Sequence, residues 1–185
     1  MKVFLDACVL YPALVRRLVM DAAAAGMFQP LWSARVLEEW RRAVAAKLGP
    51  EAEDAATAAA HAMQAAFPGA SVAADPGLEA TLHLPDPADT HVLAAAVAGG
   101  AGAILTFNLR DFPRRTLAGH GIEARHPDGF LWELLSTHEK ALLGIANVAL
   151  CGHGIEPALA RAALKRARLS RFGKAFEGLR HANPD

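Results

Sequence analysis

Cysteine is scarce in this chain. Only Cys8 and Cys151 occur among 185 residues. Two distant cysteines make neither a disulfide framework nor a zinc knuckle. Cys8, in an apolar context, reads as a buried free thiol, which fits a reducing cytoplasm. Net charge is missing as well: nineteen Lys and Arg face nineteen Asp and Glu. That removes bulk electrostatic attraction to nucleic acid and leaves only a local basic patch as a route to it. No charge-free apolar run is long enough to suggest a membrane span; the nearest, 91–107, is broken by glycines. The opening MKVFLDACVLYP is interrupted by Asp6 and lacks the length and cleavage pattern of a signal peptide. Internal repeats and low-complexity linkers are absent. The expectation is a cytoplasmic protein with no membrane partner.

What is present points to a packed α/β fold. Apolar residues make up 53% of the chain, enough for a real core. Lys2 to Leu5 reads as a buried parallel strand, and Asp6 follows at its carboxyl end. A turn is expected over Leu10 to Pro12, then a helix over Arg16 to Ala25 ended by Gly26. Phe28 to Leu31 is a second strand. Ser33 is placed to cap a helix over Arg35 to Leu48, and a further helix spans Glu51 to Phe67. Glu79 to Leu84 fits a brief helix or a strand equally well. Asp86-Pro87-Ala88-Asp89 opens a helix with Asp86 at the N-cap, Pro87 at N1 and Asp89 at N3. Glycines 99, 100 and 102 end it, and Ala103 to Phe107 forms a short buried strand. Phe112 to Leu117 is a loop with a possible helical turn, and Gly121 to Ala124 an edge strand. Helices follow over 129–136, 137–148 and 156–169, with a polar tail after Phe172. Alternating strands and helices argue for βαβ units and a mainly parallel sheet. A boundary near 136 separates an α/β body, 1–135, from a helical C-terminal extension, 136–185.

The acids carry the chemistry. Asp6 lies where open parallel sheets place ligands, beyond a strand's carboxyl end, although a strand-exit cap is an equally ordinary use for it. Glu38 and Glu39 point about 100° apart on one helix. Glu38 pairs naturally with Arg42 at i,i+4, which leaves Glu39 as the inward candidate. Asp86 and Asp89 suit a capping role and a catalytic one at once. If Asp6, Glu39, Asp86, Asp89 and Asp111 gather, they repel one another unless a cation neutralises them. Mg²⁺ answers that need with oxygen ligands and retained waters. His83 and His91, flanking the acidic helix start, read as surface or supporting groups rather than ligands.

Four stretches together resemble the PIN domain family, in its bacterial VapC toxin-like branch. They are VFLDACVLYP with Asp6, LWSARVLEEW with Glu39, LPDPADTHVLAAA with Asp86 and Asp89, and ILTFNLRDFP with Thr106, Asn108 and Asp111. The resemblance covers residues 2 to 135. It implies a three-layer α/β/α sandwich and an Mg²⁺- or Mn²⁺-dependent endoribonuclease that hydrolyses RNA phosphodiesters. It also implies a toxin with a cognate antitoxin, and a homodimer. On that basis Asp6, Glu39, Asp89 and Asp111 are the expected metal ligands. Asp86, Asn108 and Thr106 complete the catalytic set. Two positions depart from the pattern. Cys8 stands where many members have Asn or Thr. Asn108 stands where many have a fourth Asp, which counts against two ions.

Two rival functions remain. One is a non-catalytic RNA-binding or regulatory protein on the same fold, motivated by Cys8 and Asn108. The other is a phosphoryl-transfer enzyme with Asp6 as nucleophile, which wants an Asp where Cys8 stands. Basic residues concentrate in two places: Arg110, Arg114 and Arg115 beside the last motif, and Arg161, Lys165, Arg166, Arg168, Arg171, Lys174 and Arg180 in the tail. Both suit a phosphate backbone. Phe172 and Phe176 read as anchors of the tail rather than as base-stacking groups.

Overall fold

The computed structural model describes residues 1–182; the last three positions of the expected 136–185 extension lie outside the described residues. In chain order the strands are β1 (Lys2–Leu5), β2 (Gln29–Leu31), β3 (Ala103–Leu105) and β4 (Glu123–Arg125). The helices are α1 (Ala7–Leu10), α2 (Ala13–Ala24), α3 (Ala34–Leu48), α4 (Pro50–Ala66), α5 (Pro76–Thr81), α6 (Thr90–Ala98), α7 (Arg114–Ala118), α8 (Pro127–Thr137), α9 (Glu139–Gly152), α10 (Ala160–Arg166) and α11 (Ser170–Ala182). The class is the expected one, α/β of the α/β/α type, with a central parallel sheet and additional C-terminal helices.

The chain divides into two compact units. The first comprises Met1–Tyr11 and Phe28–Arg125, the second Pro12–Met27 and His126 onward. The first unit holds the sheet, in order β2-β1-β3-β4, with every neighbouring pair parallel. Val3, Phe4, Leu5, Ala103, Ile104 and Leu105 are fully buried, as continuous apolar runs in a covered parallel sheet should be. Register positions the site. Leu5 pairs with Leu105, so the next residues, Asp6 and Thr106, leave the sheet side by side. Phe4 pairs with Leu31 on the other flank. Trp32 then bridges Ser71, and Ser33 caps α3 by accepting from the Val36 amide at 3.2 Å. Gly99 ends α6 where a Cβ would come within 2.8 Å of Leu31 Cδ1, so only glycine fits there without a shift.

The second unit is helical. In it α2 packs on α9, α8 on α9 and α11, and α10 on α11. Gly173 lets the last pair approach closely: a Cβ there would meet Leu164 Cβ at 3.1 Å. Among the described residues no single helix is long and apolar enough to cross a membrane; only a bent pair, Glu139–Gly152 with Pro157–Arg166, passes by length and composition.

Several local expectations are corrected. The turn expected at Leu10 to Pro12 is preceded by the one-turn helix α1. Of the undecided stretch Glu79 to Leu84, the first three residues end the helix α5, started by Asp75, which accepts from the Gly77 amide at 2.8 Å, and Leu82 to Leu84 are neither helix nor strand. The single helix expected over 156–169 is a short 3-10 turn, Pro157–Leu159, followed by α10. Arg168 then adopts φ 62°, a left-handed conformation that ends the helical path. The polar tail is wrong: α11 buries Phe172, Gly173 and Phe176. That i, i+1, i+4 stripe is narrow and set among charged neighbours, Arg171, Lys174 and Glu177. With both phenylalanines fully buried, the anchor reading holds and base stacking by them is ruled out.

Candidate active site

Asp6 is 6% exposed. Its backbone amide completes the sheet by donating to Leu105 O at 3.1 Å. Its Oδ2 receives two donors: Thr106 Oγ1 at 2.7 Å and Cys8 Sγ at 3.0 Å. Thr106 is fully buried and also accepts from the Asn108 amide at 3.0 Å. One hydroxyl therefore ties the first acid to the exit of β3. The thiol is tied as well, accepting from the Phe107 amide at 3.2 Å. Burial and the adjoining Asp6 charge push the Cys8 thiol up to about 12. It is a neutral donor, not a nucleophile. Cys8 is the expected free thiol, but it is half-buried rather than buried, and it serves Asp6.

The second acid group sits at the start of α6. Asp86 caps as expected, accepting from the Ala88 amide at 2.9 Å, but what it caps is a 3-10 turn, Pro87–Asp89. The α-helix begins one residue after Asp89, and the Asp89 side chain makes no cap hydrogen bond. Asp86 thus caps while Asp89 is released from that duty. Burial, and then the negative charges of Asp6, Asp86 and Asp111, push the Asp89 carboxyl up to about 6, with His91 opposing. Four acids from three separate segments therefore share one electrostatic neighbourhood. Asp111 closes the 3-10 turn Leu109–Asp111, its amide donating to Asn108 O at 3.0 Å. Its side chain is 19% exposed and lies 3.6 Å from Arg110 Nε. The Asn108 side chain is exposed and makes no cap hydrogen bond.

Glu39 stands apart from that repulsion. Its Oε1 accepts from His91 Nε2 at 3.0 Å and from Arg35 Nε at 3.2 Å. Arg35 in turn reaches Glu79 at 3.1 Å. Burial would raise the Glu39 carboxyl, but hydrogen bonds and charge from His91 and Arg35 outweigh it and hold the group below the ordinary carboxylate range. The pairing of Glu38 with Arg42 is present at 2.8 Å, as the helical spacing predicts. His83 is exposed as expected. His91 is not a surface group: it is 2% exposed, and its Nδ1 is buried with no hydrogen-bond partner among the described residues. Its position was readable from α6, where Thr90 through Ala96 are all buried. Its partner was not, because α3 lies about fifty residues earlier.

The donor set is carboxylate oxygen throughout, which suits a hard divalent cation. As placed, no group of three or more His, Cys, Asp or Glu among the described residues could hold a metal ion. Electrostatic convergence is present; ligand-distance convergence is not. Beside the acids a groove of about 430 Å³ is lined by Glu79, Ala80, Leu82 and Thr90. In sequence Arg110 (92% exposed) precedes Asp111, and Arg114 and Arg115 follow it.

Comparison with known proteins places this chain. Residues 2–110 match the family described as "PIN domain". A stretch of 53 residues is 49% identical to a protein of Mycobacterium tuberculosis (strain ATCC 25618 / H37Rv) named "Putative ribonuclease VapC50". That match covers 29% of this chain and 31% of the relative, so the chain spans about a third of the relative's length. No solved structure matches the chain significantly. The family match takes in four of the five expected site acids, Asp6, Glu39, Asp86 and Asp89, and three of the four strands, and the chain belongs to the PIN domain family.

Proposed function

We propose that the protein is a metal-dependent endoribonuclease, the toxin of a toxin–antitoxin pair. The observation that carries this reading is the placement of Asp6, held by Thr106 and Cys8 where β1 and β3 end side by side, within the electrostatic reach of Asp86, Asp89 and Asp111, a gathering that with burial pushes the Asp89 carboxyl up. Gathered acids cost stability unless a cation or a proton joins them. Asp6, Glu39, Asp89 and Asp111 would hold Mg²⁺ or Mn²⁺, and the ion would supply an activated water and a counter-charge for phosphoryl oxygen. The chain's own residues supply the orientation. Thr106 and Cys8 both donate to Oδ2 of Asp6, which would leave Oδ1 for the ion. His91 and Arg35 do the same for Glu39, leaving Oε2. Asp86 fixes the start of α6, and Asn108 offers an amide oxygen at the strand exit. Arg110, Arg114 and Arg115 would hold the phosphate backbone. A cytoplasmic location, an antitoxin and a homodimer belong to the same reading, as does the name of the mycobacterial relative.

Purified protein with RNA and Mg²⁺ or Mn²⁺ tests it. Cleavage should require the divalent ion and disappear in Asp6→Asn and Asp89→Asn, while Asp86→Asn, which chiefly removes a cap, should retain part of it. Cleavage unchanged in Asp6→Asn would overturn the assignment.

A second reading, a non-catalytic RNA-binding protein on this fold, draws on Asn108 and on Glu39 being engaged by Arg35 and His91. RNA binding that survives chelation, with no turnover under either ion, would favour it. A phosphoryl-transfer enzyme with Asp6 as nucleophile is disfavoured, since the group at position 8 is a thiol raised to about 12 and a poor acid.

A further inference from the structure

The second unit carries a feature that the family match, ending at residue 110, does not touch. Between Pro157 and Ala182 stand Arg161, Lys165, Arg166, Arg168, Arg171, Lys174 and Arg180 against the single acid Glu177. In a chain of zero net charge this is a strong local excess. Glu177 is already engaged by Arg161 at 2.7 Å. Arg171 and Lys174 are exposed and make no ion pair among the described residues.

Arg171 is also held in place. The Asp128 carboxylate at the start of α8 accepts from the Arg171 amide at 3.0 Å and the Phe172 amide at 2.8 Å, capping α11 from another helix. The Arg171 guanidinium then lies 3.4 Å from the centroid of the Trp132 ring. Trp132, half-buried, lines a cavity of about 450 Å³ with Leu135, Ser136, Glu139 and Ala175, beside Gly178. A Cβ at Gly178 would meet nothing within 4 Å, so the mouth is open there. The cavity thus combines an aromatic wall, a hydroxyl, a carboxylate and an adjacent fixed cation.

We propose that this groove, formed by α8, the start of α9 and α11, binds single-stranded nucleic acid. A base enters against Trp132, and Arg171 and Lys174 take the flanking phosphates. The chemistry selects the ligand class. A polyanion accounts for the basic helices, and a flat ring with amino and carbonyl edges accounts for the apolar slot carrying Ser136 and Glu139. An acidic peptide would satisfy the cations, but it carries no flat ring for the apolar slot and no amino edge to donate to Glu139.

Trp132 supplies its own probe, because Trp32 and Trp40 are fully buried. The choice of ligand rests on the RNA reading above, so binding is measured on the full chain as Asp6→Asn in chelator, where cleavage cannot interfere. Adding a single-stranded RNA oligonucleotide should quench tryptophan emission saturably. By anisotropy of the labelled oligonucleotide, Trp132→Ala should weaken binding about tenfold, the loss of one stacked base, and Trp132→Phe should restore most of it. Arg171→Gln with Lys174→Gln should flatten the dependence of log affinity on log salt by roughly 1.4, about 0.7 for each phosphate contact on a single strand. Thermal unfolding of each variant verifies that it is folded. Binding with unchanged tryptophan emission and unchanged affinity in Trp132→Ala overturns the proposal. So does equal quenching by poly-glutamate, which would assign the groove to an acidic protein. Cleavage by the unmodified protein with no Trp132-dependent binding rejects this groove alone; Trp132-dependent binding without any cleavage rejects the nuclease reading alone.

Discussion

His91 on α6 and Glu39 on α3 are joined by a 3.0 Å contact from Nε2 to Oε1, although one side chain is 2% exposed and the other 38%. A buried ring thus orients a half-exposed carboxylate. The two substitutions that mimic one ring nitrogen each separate this role from packing. His91→Gln keeps a donor near the Nε2 position, while His91→Asn puts its amide near Nδ1, which has no partner among the described residues. His91→Gln should retain most cleavage, and His91→Asn should lose it with a stability cost of about 1 kcal/mol, the net value of one such bond. Parallel measurement of kcat and KM and of urea midpoints checks this. Equal loss in both variants would reduce His91 to a packing residue.

Thr106 links the first acid to the exit of β3. Its hydroxyl donates to Asp6 and accepts from the Asn108 amide. Thr106→Val keeps the shape and removes both bonds, leaving Asp6 with only the thiol of Cys8 as a side-chain donor. The expected loss is about 2 kcal/mol in unfolding free energy, since one of the bonds is to a buried charge, with cleavage reduced at least as steeply as in Asp86→Asn. Thr106→Ser should be close to the parent protein. Chemical denaturation of the three proteins decides whether the hydroxyl or the methyl matters.

Asp89 predicts a pH dependence of stability. Its folded carboxyl is raised from 3.8 to about 6, so between these values the folded chain binds the proton that the unfolded chain has released. Stability therefore falls as pH rises from about 4 to about 6, and the deficit persists at neutral pH. Asp89→Asn should remove that slope and stabilise the metal-free protein at pH 7. With solvent screening of a half-buried group discounted, the gain is about 1 kcal/mol. Mn²⁺ should act in the opposite way, raising Tm in the parent protein and much less in Asp89→Asn. Melting curves at pH 5 and 7, with chelator or with Mn²⁺, check both halves. A parent Tm indifferent to Mn²⁺ would count heavily against the metal reading.

What could be read from the sequence followed from local physics. An apolar run ending in Asp6 marks a buried strand with an acid at its carboxyl end. Asp86-Pro87 marks a capped helical start. Ser33 marks the N-cap of α3, and the spacing of Glu38 to Arg42 marks their pairing. The contacts that give these residues their states depend on register and packing. Asp6 meets Thr106 because Leu5 pairs with Leu105, one hundred positions away. His91 reaches Glu39 because α3 and α6 approach each other, and nothing in either helix alone announces it; Arg35, four positions before Glu39 on α3, reaches it by the same i,i+4 spacing that joins Glu38 to Arg42. The helix α11 was missed for a related reason. Its buried stripe is only Phe172, Gly173 and Phe176, and its N-terminus is capped by Asp128 from α8 rather than by a neighbour in sequence.

The two thiols should differ sharply in reactivity. Cys151 is exposed, whereas Cys8 donates to Asp6 and is pushed up to about 12 by burial and by that charge. At pH 8 the Cys8 thiolate population is negligible, and the thiolate is the reacting species. Ellman's reagent should therefore titrate one thiol in the native protein and two in denaturant. Neutralising the neighbour in Asp6→Asn should lower the Cys8 pKa and bring its reaction within reach at high pH. Cys8→Ser keeps a donor for Asp6 and should preserve cleavage, while Cys8→Ala should reduce it. Two thiols reacting equally fast in the native protein would mean that Cys8 is not held against Asp6, and the orientation assigned to that carboxylate would fall with it.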